Sequence, residues 1–119
     1  MAYVDGFVVP IPKNKVTTYR TMARKADKVW KEHGALAYVE CVADDVKPGK
    51  VTSFPRSVKR KSSETVFFSY IVFKSRAHRD KVNAKVMADP RLAKQMDPKH
   101  VPFDVRRMIY GGFKVAVDA

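Results

Sequence analysis

Polar side chains that could do chemistry occur inside stretches of the sequence that are otherwise apolar. A carboxylate in apolar surroundings needs a cation or hydrogen-bond donors, or it stays neutral through a raised pKa. A neutral carboxyl in a pocket can exchange a proton with a bound ligand. The candidates for such a ligand pocket are Asp5, Glu40, Tyr70, Arg107 and Tyr110. The alternative is structural, with Asp5 and Glu40 paired to Arg106, Arg107 or a cation of a second subunit.

Glu40 is the first of these residues to test. Its neighbours on the same strand face, Tyr38 and Val42, are large and apolar, so an unpaired carboxylate there is costly. Tyr70 or Ser69 on the central strand is expected to stand between Asp5 and Glu40. Cys41 lies among small apolar residues, with no base close to it in the sequence, and this indicates a buried, unreactive thiol.

Other kinds of chemical site are absent from the sequence. His33, His78 and His100 are too far apart to propose a metal site from their spacing, and the chain has a single cysteine. Gly111-Gly112 is a strand feature, and neither a phosphate-binding loop nor a dinucleotide fingerprint is present. We therefore expect no metal and no cofactor.

The charge of the chain is unusual. The 119 residues carry a formal net charge of +12, which attracts nucleic acid and other anionic partners. Residues 46–63 contain basic side chains and no acidic ones. The candidate nucleic-acid contacts there are Arg56, Lys59, Arg60 and Lys61. Because the excess is spread over a helix exterior and a loop, without interleaved aromatics, it predicts a solvated surface or non-specific binding.

The elements that must position these residues are organised around Thr65–Phe73, TVFFSYIVF. The stretch is rich in β-branched and aromatic residues, which favours a strand. Both faces are apolar: Val66, Phe68, Tyr70 and Val72 lie on one, and Phe67, Ile71 and Phe73 on the other. A strand with this pattern belongs at the centre of a sheet.

The remaining elements follow from periodicity, proline and glycine. Gly34 predicts a left-handed end to a long amphipathic helix, and Ser53, Ser75 and Asp89 are predicted helix caps. The predicted segments are a strand Tyr3–Val9 ended by Pro10, a helix Lys13–His33, a strand Ala35–Asp45, a short helix from Phe54 to Val58, a helix from Ser75 to Ala88, a short helical turn from Pro90, and a strand Val105–Val117 interrupted by a bulge at Gly111-Gly112.

This order predicts an α+β fold of the ferredoxin-like βαββαβ type, with a four-stranded antiparallel sheet. Right-handed crossovers place strands one and three in the centre, in the order 4-1-3-2, and put both long helices on one face. The other face keeps many aromatic and branched side chains. A second copy packed face to face would cover them, so we expect a homodimer.

The length of the chain and its first residues predict its domain organisation and location. The chain is predicted to be a single domain spanning 1–119, since this length supports one hydrophobic core. The first residues lack the basic start of a signal peptide, and no apolar run is long enough for a membrane span. With one cysteine, these features predict a cytoplasmic protein with no membrane partner.

Four segments carry a resemblance to a known family: YVDGFVVP, HGALAYVECVADDVKPGKVTSFPR, NAKVMADPR, and VPFD followed by RRMIYGGF. They resemble the YbaA-like family, a bacterial family of unassigned function that is similar to the dimeric α+β barrel superfamily. The resemblance covers nearly the whole chain. It implies a ferredoxin-like protomer that pairs into a dimeric barrel, and it supplies no reaction.

Three functions stay open on the sequence alone. The first is a homodimer that binds or transforms a small ligand in a pocket against the sheet. The second is a basic protein that associates non-specifically with RNA or other nucleic acid. The third is a structural or regulatory dimer without a substrate. Whether the protein is an enzyme is not decided at this level.

Overall fold

The structure, a computed structural model, describes residues 2–97 and 99–118. Within these residues the chain forms four strands and four α-helices. The strands are β1 (Tyr3–Pro12), β2 (Ala37–Val42), β3 (Glu64–Phe73) and β4 (Ile109–Lys114). The helices are α1 (Val16–Glu32), α2 (Phe54–Ser57), α3 (Arg76–Met87) and α4 (Pro90–Gln95), and single 3-10 turns lie at Lys13–Lys15 and Val105–Arg107.

The strands form one antiparallel sheet in the order β2-β3-β1-β4. Read from the other edge, this is the predicted order 4-1-3-2, with β1 and β3 in the centre. The predicted α+β fold with a four-stranded antiparallel sheet is confirmed. The doubly apolar β3 lies at an interior position of this sheet, paired with β1 on one edge and β2 on the other, as its composition predicted.

The strand register assigns every side chain to one of two faces. The helix face carries the odd-numbered residues of β1 and β3, among them Asp5, Phe7 and Ser69. Glu40 pairs with Ser69 and therefore lies on this face as well. The even-numbered residues of β1 and β3 form the other face, called the open face below.

Helices α1, α3 and α4 cover the helix face. Two clusters of buried side chains lie beneath them, one around Phe73 and Val86 and the other around Ile11 and Tyr19. On the open face a smaller cluster of Val8, Val58 and Val66 is covered by the segment that follows α2. The open face is thus covered at one end only.

Strand β1 is longer than predicted. It continues through Pro10 and Pro12, although proline was expected to end it at Val9. Strand β4 pairs with β1 only as far as Val8, so the later residues have one free edge. The N–H of Lys13 bonds to Ser63 on the β3 side, which places the even-numbered positions toward the free edge, where proline loses no ladder bond.

Strands β2 and β4 are shorter than predicted, and β4 contains no bulge. Its pairing with β1 runs unbroken through Gly111 and Gly112. A Cβ at Gly112 would overlap the ring of Tyr3, so a close approach, rather than an irregular strand, requires glycine there. The first part of the predicted strand forms the 3-10 turn Val105–Arg107 instead.

The helix caps agree with the sequence. Ser53, Ser75 and Asp89 each accept a hydrogen bond from a backbone N–H in the first turn of the following helix. Gly34 has a φ of 117°, as a left-handed helix end requires. Met87, the last residue of α3, is exposed, since it falls outside the buried stripe formed by Val82 and Val86.

None of the helices in the described part of the chain is both long and apolar enough to cross a membrane.

Candidate functional site

A cavity of about 120 Å³ lies between the helix face of the sheet and helices α1 and α4. Its wall is mainly apolar and aromatic, with Trp30, Phe7 and Ile71 among the residues that form it. Polar groups reach it at three places only within the described chain: Glu40, Ser69 and Gln95, apart from the tyrosine hydroxyls. An apolar space with a few converging polar groups is typical of a small-molecule site.

Glu40 is held in this wall by two tyrosine hydroxyls. The Tyr19 hydroxyl lies 2.9 and 3.0 Å from the two carboxylate oxygens, and the Tyr38 hydroxyl lies 3.2 Å from one of them. Neither the ion pairs nor the hydrogen bonds of the described residues include a cation on Glu40. The carboxyl group is therefore satisfied by neutral donors.

Burial raises the pKa of the Glu40 carboxyl, and the hydrogen bonds from Tyr19 and Tyr38 oppose this shift without cancelling it. The same arrangement raises the pKa of both tyrosines, first through burial and then through the charge of Glu40. The tyrosines therefore stay protonated and serve as hydrogen-bond donors, and the carboxyl of Glu40 is the member of the group that can take up or release a proton. The group is suited to proton exchange with a ligand in the cavity.

Glu40 also reaches the outside of the protein. Together with Tyr38 it lines a groove on the outer side of α1, bordered by Arg20, Arg24 and Asp27. The carboxyl thus stands between the interior cavity and a solvent-facing groove. Protons can reach it from water without passing through the apolar cavity.

Asp5 lies on the helix face but does not line the cavity. Its carboxylate is 3.8 Å from a guanidinium nitrogen of Arg79 and 3.4 Å from the amide nitrogen of Asn83. Burial raises the pKa of Asp5, and Arg79 and Asn83 partly offset this. The pairing with Arg106 or Arg107 considered for Asp5 and Glu40 is not found, because Arg79 on α3 packs over Asp5 instead.

Arg107 is bound to two other carboxylates. It makes a two-point contact with Glu64, at 2.6 and 2.8 Å, and a third bond to Asp104 at 3.2 Å. Glu64 is 5% exposed in its side chain, and Arg107 holds the pKa of Glu64 below its ordinary value. Arg107 therefore links the start of β3 to the turn before β4, and it does not line the cavity.

Tyr70 and Tyr110 are separated from Glu40 as well. Tyr70 pairs with Gly6 and Val39 and so lies on the open face. Tyr110 lies on the helix face at the outer strand β4, largely exposed, where it stacks on Phe7 with ring centres 6.1 Å apart. Of the five predicted pocket residues, the structure brings only Glu40 to the cavity, with Ser69 rather than Tyr70 beside it.

Two of the four candidate nucleic-acid contacts are engaged within their own loop. The Arg56 guanidinium donates to the carbonyls of Pro48 and Gly49, and that of Arg60 donates to the carbonyl of Glu64. Lys59 and Lys61 are exposed. The hydrogen bonds from these two arginines thus stabilise the conformation of the loop. Nucleic-acid binding by this loop stays a prediction.

Cys41 is exposed, contrary to the prediction of a buried thiol. It lies on the edge strand β2 and on the open face, opposite Phe68 of β3. Apolar neighbours in the sequence indicated burial, but over this edge of the sheet the described structure places only the short α2, whose Phe54 packs on Phe68 and leaves Cys41 exposed. Among the described residues there is also no cluster of three or more potential metal ligands.

Three residues of the site were not identified from the sequence: Tyr19, Tyr38 as a hydroxyl donor, and Gln95. Tyr19 lies on the inward stripe of α1, and a hydroxyl on a buried stripe opposite a buried carboxylate was the available signal. Gln95 gave no signal, because it ends a short polar helix.

The family of the chain follows from comparison with known proteins. Residues 2–105 match the family described as protein of unknown function (DUF1428). The chain belongs to this family. The "Uncharacterized protein YbaA" of Escherichia coli strain K12 is 50% identical over 118 residues, covering 99% of both chains. The protein of the same description from Shigella flexneri matches equally well. The resemblance seen in the sequence is confirmed, and the relatives are bacterial proteins without an assigned function.

A solved structure shares the fold of this DUF1428 member. The de novo designed protein Foldit4 superposes with a TM-score of 0.50 at 10% identity, covering 96% of this chain and 98% of that one. At that identity the likeness concerns the fold alone.

Proposed function

We propose that this protein binds a small, mainly apolar ligand in the cavity beneath α1 and exchanges a proton with it through Glu40. The observation that carries the proposal is the Glu40 carboxyl, which faces the cavity, has no cation, and is held by Tyr19 and Tyr38. A carboxyl that served only to tie the fold together would be expected to have a cation, as Glu64 has in Arg107.

The size of the cavity sets the size of the ligand. An apolar cavity of roughly 150 Å³ is known to take up benzene, and the space here is about 120 Å³. The ligand part inside the cavity is therefore of single-ring size. One hydrogen-bonding group on it would meet the Glu40 carboxyl, and Ser69 lies beside it for a second bond.

Glu40 can act in either direction. Protonated, it donates to a carbonyl or amine of the ligand, and the neighbouring tyrosine hydroxyls stabilise the carboxylate that is left. Ionised, it accepts a proton from the ligand. The chemistry assigned to the site is proton transfer, and it requires no further group.

Trp30 allows a direct test, because it is the single tryptophan of the chain and it lines the cavity. Phenol is the probe. Titration of the protein with phenol should change the Trp30 fluorescence. In the variant Ala26→Leu, which fills the cavity, the affinity should fall at least about tenfold, or 1.4 kcal/mol.

The matched control is Ala84→Leu, which adds the same side chain at an exposed position of α3. It should bind phenol as the wild type does. Equal binding by Ala26→Leu and the wild type, with both folded, would refute the cavity as the binding site. Native mass spectrometry of the purified protein would show, in the same sample, the oligomeric mass and any ligand it retains.

We further propose that the protein is a homodimer that buries the open face, as a dimeric α+β barrel does. Support comes from large apolar side chains on this face, where Phe68, Ile109 and Phe113 are 42%, 45% and 63% exposed. A contiguous apolar face of this kind is unusual on a monomer. A second copy fits because the same face on both copies is self-complementary under a two-fold axis.

A further inference from the structure

Gln95, the last residue of α4, lies where the interior cavity meets the outer surface between α1 and α4. Its side chain lines the cavity and also two depressions on the outside. Met22 of α1 lines the cavity and one of these depressions. Since the same two side chains border both spaces, the gap between Met22 and Gln95 is a short path from the surface into the cavity.

The amide of Gln95 is left incomplete at this gap. Its side-chain oxygen is buried and accepts no hydrogen bond from the described residues. Buried polar atoms normally have a partner, and one without a partner calls for an explanation. Rotation about the last side-chain bond exchanges the oxygen with the NH₂ group, so the amide can offer an acceptor or donors to a group at this point.

The outer end of the gap is positively charged. Lys25 lines both depressions, and Lys28 and Lys94 line one of them. None of these lysines has a carboxylate partner within the described residues. Thr17, Thr18 and Thr21 of α1 also line the second depression, where the Thr21 hydroxyl already donates to the Thr17 carbonyl, and no acidic residue of the described chain lines either depression.

The other charged residues near the gap, Arg91 and His100, have acidic partners and add little to its positive charge. Arg91 also lines one depression, but Glu32 and Asp89 already bind its guanidinium. His100 lines both depressions and has Asp97 4.0 Å away. The uncompensated cations are therefore the lysines, and Lys25 is the one common to both depressions.

From this arrangement we infer that the ligand of the cavity carries one anionic head group, a carboxylate or a phosphate, held beside Lys25. Its apolar body passes between Met22 and Gln95 into the cavity. The inference rests on the proposed function and adds the chemical class of the ligand: a single-ring or short branched acid. The head group is held outside, where its charge keeps part of its hydration, and only the apolar part is buried.

Two probes of the same shape test the charge alone. Phenylacetate and phenylacetamide share the ring and differ in carrying a carboxylate or a neutral amide. The wild type should bind phenylacetate about fivefold more tightly, as expected at the upper end for an exposed ion pair. The preference should shrink as salt is raised, since salt screens exposed charges.

Lys25→Gln should abolish the preference by weakening phenylacetate binding more than phenylacetamide binding, and Lys25→Arg should keep the preference. The control is Lys50→Gln, which removes the same charge from a residue that lines neither depression; it should keep the fivefold difference. Thermal melts of all variants verify that they are folded. The two probes should also compete with each other, because they share the cavity.

Equal affinity for both probes overturns the inference and leaves the proposed function standing. A preference that Lys50→Gln abolishes as well reflects the net charge of the protein and also overturns the inference. Phenylacetate bound without competition from phenylacetamide lies on the surface, with the same consequence. If neither probe nor phenol binds, the proposed function itself fails.

Discussion

The two faces of the sheet share the central strands β1 and β3, yet the carboxyl group on each face has a different kind of hydrogen-bond donor. On the helix face, Glu40 is surrounded by apolar side chains and two neutral tyrosine hydroxyls, and its pKa is raised. On the open-face side, Glu64 meets the guanidinium of Arg107, and its pKa is lowered. Both carboxyls accept hydrogen bonds, but the donors to Glu40 are neutral and do not offset its burial, whereas the charged Arg107 stabilises the carboxylate form of Glu64.

The two faces also differ in how completely other parts of the chain cover them. Helices fill the helix face except for one small cavity, whereas the open face leaves aromatic side chains in water. The helix face therefore encloses a space within one chain, whereas the open face leaves an apolar surface that the proposed dimer would cover. Three substitutions test these two halves of the comparison.

The largest effect is expected from Phe68→Asp on the open face. If this face is the dimer interface, the wild type sediments at about 27 kDa, twice the 13.5 kDa of one chain, and the variant sediments as a monomer or unfolds. An unpaired aspartate inside an apolar interface is costly because it loses its hydration. The measurement is sedimentation equilibrium at micromolar concentration.

Val51→Asp is the control for this prediction, since Val51 is a 91% exposed apolar residue of the loop. It should leave the mass unchanged. A wild type that sediments as a monomer would contradict the proposed dimer directly.

Glu64→Gln is expected to destabilise the protein by about 2 kcal/mol near neutral pH, because Arg107 loses one of its two carboxylate partners at a largely buried position and keeps only Asp104. Arg107 lowers the pKa of Glu64, so the folded state binds the carboxylate form more tightly than the unfolded chain does. This stability is fully present above the ordinary pKa of 4.5 and is lost as the pH falls through the folded pKa. Urea denaturation across the acidic range should show the wild type and the variant converging. A constant difference would mean that the ion pair is not its source.

Glu40→Gln is expected to have a smaller effect of opposite sign. Burial raises the folded pKa of Glu40, so ionisation destabilises the fold as the pH rises through and above the ordinary value of 4.5. The variant, which cannot ionise, should therefore be more stable than the wild type at alkaline pH and differ little from it below pH 4.5.

The same denaturation series, run on both glutamate variants, provides the comparison. The groups that face Glu40 are Tyr19 and Tyr38, with Arg20, Arg24 and Asp27 along the outer groove. A loss of stability in Glu40→Gln at neutral pH would show that the carboxylate is structural after all, and the two faces would then not differ in the way described.

The positions of the strands were largely predictable, whereas those of the site residues were not. The doubly apolar β3 is a local pattern, and together with the order of strands and helices and the right-handed crossovers it led to the correct sheet order. The predicted ends of the strands were wrong where pairing with a neighbouring strand decides them. Strand β1 continues through Pro10 because its other edge is free at that point, and β4 starts later than predicted because Val105–Arg107 forms a turn.

The sequence by itself determined that the carboxylate at position 40 would lie on an otherwise apolar strand face, that β1 and β3 would be central, and that the helices would leave one apolar face. These properties depend on side-chain alternation with a period of two and on the handedness of the crossovers, both of which a sequence displays directly.

Only the tertiary structure decided which groups surround Glu40. Tyr19 lies 21 residues away on a helix, and its hydroxyl reaches the carboxylate through the rotation of α1 about its axis and the register of β2 on β3. The same register places Ser69 beside Glu40 and Tyr70 on the other face of the sheet. The packing of α3 on the sheet brings Arg79 next to Asp5. Rotation and register are set by the sum of many contacts across the core, so no single stretch of sequence encodes them.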